Sequence, residues 1–196
     1  MKKHLLFFAI IVTMVILTAC GNTLDLKKDQ AQIIIGKDKL TLHVNIEADE
    51  DMDIGDYKED FEDADFNVKK IELKNDYLIA TLELDNKSDD FEDFTEFLNY
   101  ELDEYIDDFW NDYDDAEDED VFISTKTKRN AKADEMEKYE DAHVLMLANF
   151  FSSEFDELYI TVPNKIIFYS ENCELINKNT VQIDDDSSYL DAIVFN

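Results

Sequence analysis

Apolar and polar positions in the first half of the chain follow the period of β-strands. QIIIGKDKLTLHVNIEA has apolar runs on both sides of Gly36-Lys37-Asp38, which predicts two strands joined by a turn. Between Leu40 and Ile46 every second residue is apolar, and His43 belongs to the alternate, polar set. FNVKKIELK and DYLIATLELD predict a further hairpin that turns at Asn75-Asp76.

The segment from Ser88 to Tyr113 has apolar side chains three or four residues apart, which is the period of an amphipathic α-helix. The apolar stripe of this predicted helix contains Phe91, Phe94, Leu98, Leu102, Tyr105 and Phe109. We expect the stripe to pack on a sheet; the alternative is that it lines an apolar cavity for a lipid or acyl chain. A short helix is predicted over residues 53–65, and residues 132–142 form a short helix or a loop.

Apart from residues 132–142, short apolar runs separated by turn residues predict strands from residue 121 to the end of the chain. The predicted fold class is therefore α+β, with a mainly antiparallel sheet, one long amphipathic aromatic helix and one or two short helices. We expect residues 31–196 to form a single domain of this class.

The N-terminal residues have the pattern of an export signal. Lys2 and Lys3 precede an uncharged apolar run, residues 5–16, which has the length of a signal-peptide core and is short of the roughly 20 residues of a membrane span. Leu17-Thr18-Ala19-Cys20 then resembles the lipobox of bacterial lipoproteins. An uncleaved membrane anchor with an incidental cysteine is the alternative.

The lipobox resemblance implies a chain that is cut and lipidated. Residues 1–19 would be the signal peptide, cleaved between Ala19 and Cys20, and the Cys20 thiol would carry the lipid. Residues 20–30 would be the acylated N-terminus and a polar tether. We therefore expect attachment to the cell membrane on its extracytoplasmic face, through the acyl chains.

The chain is strongly acidic, with 49 Asp and Glu against 18 Lys and Arg and a formal net charge of −31. Such a chain is repelled by nucleic acid and by anionic lipid head groups, so we expect no nucleic-acid partner, and we expect the acyl anchor to be its hold on the membrane. If Cys20 is lipidated, Cys173 is left without an intrachain disulfide partner, and a buried structural thiol is the expected state.

The sequence does not match the known motifs for metal binding or catalysis that we compared with it. DEDMDIGD resembles a calcium loop, but counting from Asp49 the sixth residue is Ile54, where an EF-hand needs glycine. His43 and His143 lack zinc-ligand spacing, and three glycines in the whole chain do not build a phosphate cradle. We predict no metal site, no cofactor and no catalytic residue. We expect the acidic surface to accumulate divalent cations weakly and diffusely. An acidic divalent-cation-binding surface module is the alternative function, and an envelope hydrolase is the third.

The last third of the chain resembles the ectodomains of LppM-like bacterial lipoproteins. Pro163-Asn164-Lys165-Ile166 and Asn177-Lys178-Asn179-Thr180 stand where that family has a PGKI bend and an N-G-N-T hairpin, with Asn164 and Lys178 in place of the glycines. The resemblance implies an α+β ectodomain that in relatives binds lipid or glycolipid. We therefore predict a non-enzymatic lipoprotein that binds a lipid, an envelope component or a partner protein.

Overall fold

A computed structural model describes residues 23–85, 100–105, 122–147, 155–183 and 192–196. Strands dominate these ranges. In chain order they are β1 (Gln30–Ile35), β2 (Lys39–Glu47), β3 (Asn67–Lys74), β4 (Tyr77–Asp85), β5 (Tyr100–Glu101), β6 (Phe122–Ser124), β7 (His143–Met146), β8 (Glu157–Thr161), β9 (Ile166–Ser170), β10 (Glu174–Asn177), β11 (Thr180–Ile183) and β12 (Ala192–Phe195). The described helices are α1 (Ile54–Asp63), α2 (Leu102–Tyr105), α3 (Ala133–Met136) and a 3₁₀ turn (Glu137–Tyr139).

Within the described ranges the strands form two sheets. The larger has seven strands in the order β10-β11-β8-β1-β2-β4-β3, and the smaller has five in the order β5-β7-β12-β9-β6. Neighbours pair antiparallel except β1 and β8, which are parallel, with Gln30 opposite Glu157. The parallel contact joins the N-terminal strands of the large sheet to strands from the C-terminal third.

The predicted turn at Asn75-Asp76 is confirmed, and its conformation explains how it works without glycine. Asn75 has φ 53° and Asp76 has φ 65°, so both central residues are in the left-handed region. A two-residue hairpin favours this conformation because its twist matches that of the flanking strands. Asn and Asp tolerate it better than other non-glycine residues.

One hydrophobic core lies between the two sheets. Leu82 and Ile160 from the large sheet and Leu145, Ile193 and Phe195 from the small sheet belong to one buried cluster. These side chains are nearly inaccessible, so the facing sheets share a packed interior of aliphatic and aromatic groups. Apolar burial of this kind is the main stabilising contribution.

A second core covers the opposite face of the small sheet. Along β12, Ala192 and Val194 belong to this second cluster, whereas the alternate residues belong to the first. The cover comes from α2 and α3, whose Leu102, Tyr105 and Met136 are buried against the sheet. The small sheet is therefore buried on both faces, which accounts for its nearly continuous apolar strands.

The predicted fold class, a sheet with one long aromatic helix, is wrong. The protein is mostly β, and α1 is the only helix of seven or more residues in the described ranges. Within the predicted helix, Tyr100 and Glu101 instead form β5 and pair with β7. The backbone N–H of Leu102 donates to the Ala142 carbonyl at 2.9 Å. In a continuous helix this N–H would instead donate to a carbonyl four residues earlier in the same helix. The rest of that prediction, residues 88–99 and 106–113, lies outside the described residues.

The two turns that resemble the LppM-like pattern have conformations that do not require glycine. Neither Asn164 nor Lys178 is among the described residues with positive φ. The Asn177 side chain accepts the Asn179 N–H at 3.0 Å, and Asn179 Nδ2 donates to the Val162 carbonyl at 3.0 Å. Side-chain amides thus build this hairpin, as Asx turns do elsewhere.

In the part of the chain that the structure describes, the helices are too short and too polar to cross a bilayer.

Candidate functional site

The face of the large sheet that points away from the small sheet carries polar side chains on neighbouring strands. Register places Gln32 of β1 opposite His43 of β2, and His43 opposite Thr81 of β4. On the other side of β1, Tyr159 and Thr161 of β8 continue the polar row. We call this surface the outer face. It is the alternate set of the same strands whose apolar residues fill the core.

Residues 24–28, named here the N-terminal strap, lie on the outer face and are hydrogen-bonded to it. The Leu24 N–H donates to Gln32 Oε1 at 2.9 Å, and Asn45 Nδ2 donates to the Leu26 carbonyl at 3.2 Å. The Lys27 N–H donates to Gln30 Oε1 at 2.7 Å. Part of the predicted tether is therefore attached to the sheet by side-chain amides.

An aromatic contact fixes the end of the strap. Lys28 Nζ lies 3.9 Å from the centre of the Tyr77 ring. The Tyr77 hydroxyl donates to Asp29 Oδ2 at 3.4 Å. A cation over an aromatic face contributes about 0.5–1 kcal/mol at an exposed site, so this contact adds to the hydrogen bonds of the strap.

Beneath the strap the polar side chains of the outer face are buried and bonded to one another. Gln32 is fully buried, and its Nε2 donates to Thr161 Oγ1 at 2.9 Å. Thr161 Oγ1 lies 3.0 Å from Thr180 Oγ1, which extends the chain of bonds to β11. Buried polar groups are stable only with such partners, so the network restricts how the strap and the sheet fit together.

A carboxylate takes part at the edge of this network. The Tyr159 hydroxyl donates to Glu157 Oε2 at 2.7 Å, and Gln30 Nε2 donates to the same oxygen. Burial, together with the negative Glu157 beside it, raises the pKa of Tyr159 to about 12. Tyr159 is therefore a protonated hydrogen-bond donor at neutral pH.

His43 is a structural member of the outer face. Its Nδ1 lies 3.0 Å from Thr81 Oγ1, and the side chain is half-buried. Burial lowers the pKa of His43, and the nearby Glu83 carboxylate only partly opposes this. The imidazole is therefore neutral at pH 7, which suits a hydrogen bond to a hydroxyl group.

Two clefts lie on either side of the loop formed by residues 48–52. One has a volume of about 630 Å³ and is bounded by β3 and β4 around Leu73 and Asp76. The other has a volume of about 720 Å³ and is bounded by Tyr57 and Asp156. Met52 and carboxylates such as Asp49 line both clefts, and Lys74 also lines the first.

Two of the aspartates beside these clefts, Asp53 and Asp56, cap the start of α1. Asp53 is its N-cap, and Oδ1 accepts the N–H groups of Gly55 at 2.6 Å and Asp56 at 3.2 Å. The Asp56 side chain accepts the Asp53 N–H at 2.8 Å, which completes a capping box. The helix predicted over residues 53–65 is confirmed, and capping accounts for Asp53 and Asp56 of the pattern that resembled a calcium loop. In the described ranges, no three His, Cys, Asp or Glu side chains are grouped so as to hold a metal ion.

Of the predicted apolar ligand face, the described residues are Leu102 and Tyr105. Both are buried in the second core, and the Tyr105 ring meets Phe122 edge-on with centroids 6.0 Å apart. The remaining members of that face, Phe91, Phe94, Leu98 and Phe109, lie outside the described residues, as do Ala19 and Cys20.

The strap site was missed in the sequence. Its signal is the alternation in QAQIII, where Gln30 and Gln32 interrupt a strand that is otherwise small or apolar. A glutamine repeated at every second residue indicates a polar partner on one face, but it does not say that the partner is the preceding segment.

The fold and site describe a two-sheet, mostly β protein whose N-terminal segment is attached to the outer face of one sheet. Comparison of the chain with protein-family models, with curated proteins and with solved structures returned no match.

Proposed function

We propose that this chain is a lipid-anchored extracytoplasmic lipoprotein that acts as a non-enzymatic binding module for a lipid, an envelope component or a partner protein. The N-terminal strap is the observation that carries the proposal. It brings ordered chain to within four residues of Cys20, the residue of the lipobox pattern.

The strap gives the proposed anchor a short reach. Three residues, 21–23, separate Cys20 from Leu24, which bonds to the sheet. An extended chain spans at most about 3.3–3.6 Å per residue, so a lipidated Cys20 would keep Leu24 within roughly 15 Å of the bilayer surface. A close attachment of this kind suits a protein that works on components of the membrane or its immediate surroundings.

The two clefts beside residues 48–52 are the surfaces best suited to a ligand. Both are lined by Met52 together with carboxylates such as Asp49, and the second cleft is also lined by Tyr57. Binding rather than catalysis is favoured by where the reactive side chains lie. His43 is bonded to Thr81 on the outer face, and Cys173 is buried in the core between the sheets. Neither side chain is part of a cleft lining.

Incorporation of a radioactive fatty acid tests the anchor. The full chain, expressed in bacteria that process lipoproteins, should take up the label, and the Cys20→Ser variant should lose both the label and the cleavage. A Cys173→Ser variant is the matched control and should be labelled like the wild type. Equal labelling of the wild type and Cys20→Ser would overturn the proposal.

Native mass spectrometry of the detergent-solubilised, full-length protein tests the binding role. We expect a copurified lipid or envelope component beyond the covalent acyl chains. An Ala48→Trp variant, which fills the side shared by both clefts, should reduce its occupancy. Unchanged occupancy in this variant would exclude the clefts as the binding site.

A further inference from the structure

A basic loop interrupts the acidic surface of this protein. Residues 125–132, TKTKRNAK, contain Lys126, Lys128, Arg129 and Lys132 and not one acidic residue. All four basic side chains are exposed. We call this segment the basic hairpin. A formal charge of −31 for the chain makes such a local excess of positive charge unusual.

The backbone of the basic hairpin is held in place by the small sheet. The Ser124 N–H donates to the Arg129 carbonyl at 2.9 Å, and the Lys128 N–H donates to the Ser124 carbonyl at 2.8 Å. At its start, the Thr125 N–H donates to the Ile167 carbonyl at 2.9 Å, and Thr125 Oγ1 donates to the neighbouring Ile166 carbonyl at 3.1 Å. The four charges therefore stand on a fixed support.

The basic side chains of the hairpin differ from the lysines of the large sheet in the ion pairs seen among the described residues. On the large sheet, Glu83 pairs with both Lys39 and Lys69, and Lys70 pairs with Glu72. Within the described ranges, the ion pairs do not include any residue of the hairpin. A carboxylate that lies close by, Glu135, accepts a hydrogen bond from the Ser124 hydroxyl at 2.9 Å.

We propose that the basic hairpin faces the bilayer and contacts the anionic phospholipid head groups of the membrane to which the chain is attached. This inference rests on the proposed lipid anchor. A free molecule with this net charge would be repelled from an anionic surface. An anchored molecule does not diffuse away, so the repulsion instead orients it with its least negative side toward the lipid.

The charges make this orientation favourable. Lys and Arg side chains gain free energy close to anionic lipid, and the field falls off within a Debye length of about 8 Å at physiological salt. Four exposed cations on one loop, none of them in an ion pair with another described residue, would therefore draw this side of the protein toward anionic lipid.

Amine acetylation followed by mass spectrometry tests the proposal on the full-length lipidated protein. The protein is reconstituted into vesicles of phosphatidylcholine alone or with phosphatidylglycerol, and labelling rates are read at Lys126, Lys128 and Lys132. Lys37 and Lys58 are the control amines because both are exposed and lie on other elements. We expect the hairpin lysines to label roughly fivefold more slowly on the anionic vesicles, with little change at the controls.

Salt and substitution should both remove the effect. High ionic strength should restore the labelling of the hairpin lysines. The double variant Lys126→Glu with Arg129→Glu should abolish the protection of Lys132, whereas Lys37→Glu with Lys58→Glu should leave it intact. Circular dichroism of both variants confirms that the sheets are retained.

Failure of the anchor and failure of this inference give different results. A wild-type protein that does not float with vesicles would overturn both. A protein that floats, but whose hairpin lysines label equally on neutral and anionic vesicles, would overturn only the membrane-facing hairpin. Protection by soluble polyphosphate without protection by anionic vesicles would also overturn it, and would indicate a soluble polyanion as the partner.

Discussion

The carboxamide oxygen of Gln32, in the middle of β1, accepts the backbone N–H of Leu24 at 2.9 Å, and the amide nitrogen of the same side chain donates to Thr161. One buried side chain thus connects the N-terminal strap to β1 and to the parallel strand β8. If the chain is anchored near Cys20, this connection transmits the position of the anchor to the large sheet.

Replacing Gln32 with leucine should release the strap. The change removes both bonds and leaves the Leu24 N–H without this acceptor, while Thr161 keeps its contact with Thr180, so we expect a loss of about 1–3 kcal/mol in the free energy of unfolding. We also expect faster proteolysis between residues 24 and 28. Urea denaturation and limited proteolysis measure the two effects. The control is Gln182→Leu, on the same face of β11; equal effects of the two variants would contradict the role of the strap.

Replacing Leu102 with alanine should destabilise the protein by about 2–5 kcal/mol, because a fully buried leucine leaves a cavity that the second core closes only in part. The control is Ile54→Ala, at a side chain that is 42% exposed, for which the loss should be much smaller. Thermal or urea unfolding gives both values. A loss at Leu102 no larger than that at Ile54 would show that Leu102 does not belong to a packed core.

Removing the cap of α1 should have a modest and specific effect. Asp53→Ala leaves the N–H groups of Gly55 and Asp56 without their acceptor, which should lower the free energy of unfolding by about 0.5–2 kcal/mol. Asp51→Ala, at an exposed aspartate two residues earlier, is the control and should be close to neutral. If both variants unfold at the same urea concentration, the capping box does not contribute to stability.

The half-buried His43 should make stability fall under mildly acidic conditions. Its folded-state pKa is lowered by burial, so the unfolded state, with a histidine pKa of about 6.5, binds more protons as the pH falls. The contribution of His43 is therefore complete above the unfolded pKa and is lost as the pH drops through the folded pKa. His43→Gln should show a smaller loss of stability than the wild type between about pH 7.5 and about pH 5.5. The matched control is His143→Gln, at an exposed histidine; identical pH profiles for the two variants would refute the assignment.

Calcium should bind to this protein weakly and diffusely. The Asp53 and Asp56 carboxylates already accept backbone N–H groups at the start of α1, so the sequence that resembled a calcium loop does not present them as a ligand set. In calorimetric titration of the full chain we expect a weak signal that salt suppresses. A saturable micromolar isotherm that persists in high salt would instead support the alternative function, a specific cation-binding module.

Local features of this fold follow directly from residue pattern. The alternation from Leu40 to Ile46 predicts β2, and the core burial of Leu40 and Val44 follows from it. The Asn75-Asp76 turn and the helix after Asp53 are likewise set by residues within a few positions of one another. Each of these depends on backbone preferences and short-range hydrogen bonds, which a sequence displays without knowledge of the fold.

The apolar spacing around Leu102 and Tyr105 shows where such reasoning stops. That spacing fits a helix, and both side chains are indeed buried, but the edge of β7 was available to pair with Tyr100 and Glu101. Periodicity describes which side chains need burial, and it does not describe which backbone groups another part of the chain will offer. For the same reason, periodicity did not predict that the strands divide into two sheets.

By itself, the sequence determined the positions of most strands, the helix at residues 54–63, the acidic surface charge and the residues that need burial. Only the tertiary structure decided that β1 pairs with β8, that Gln32 holds the strap, and that Ser124 bonds to both Lys128 and Arg129 of the basic hairpin. The physical reason is distance along the chain. Gln32 and Thr161 are 129 residues apart, and contacts of that range arise from the joint packing of all strands and have no local pattern that marks them.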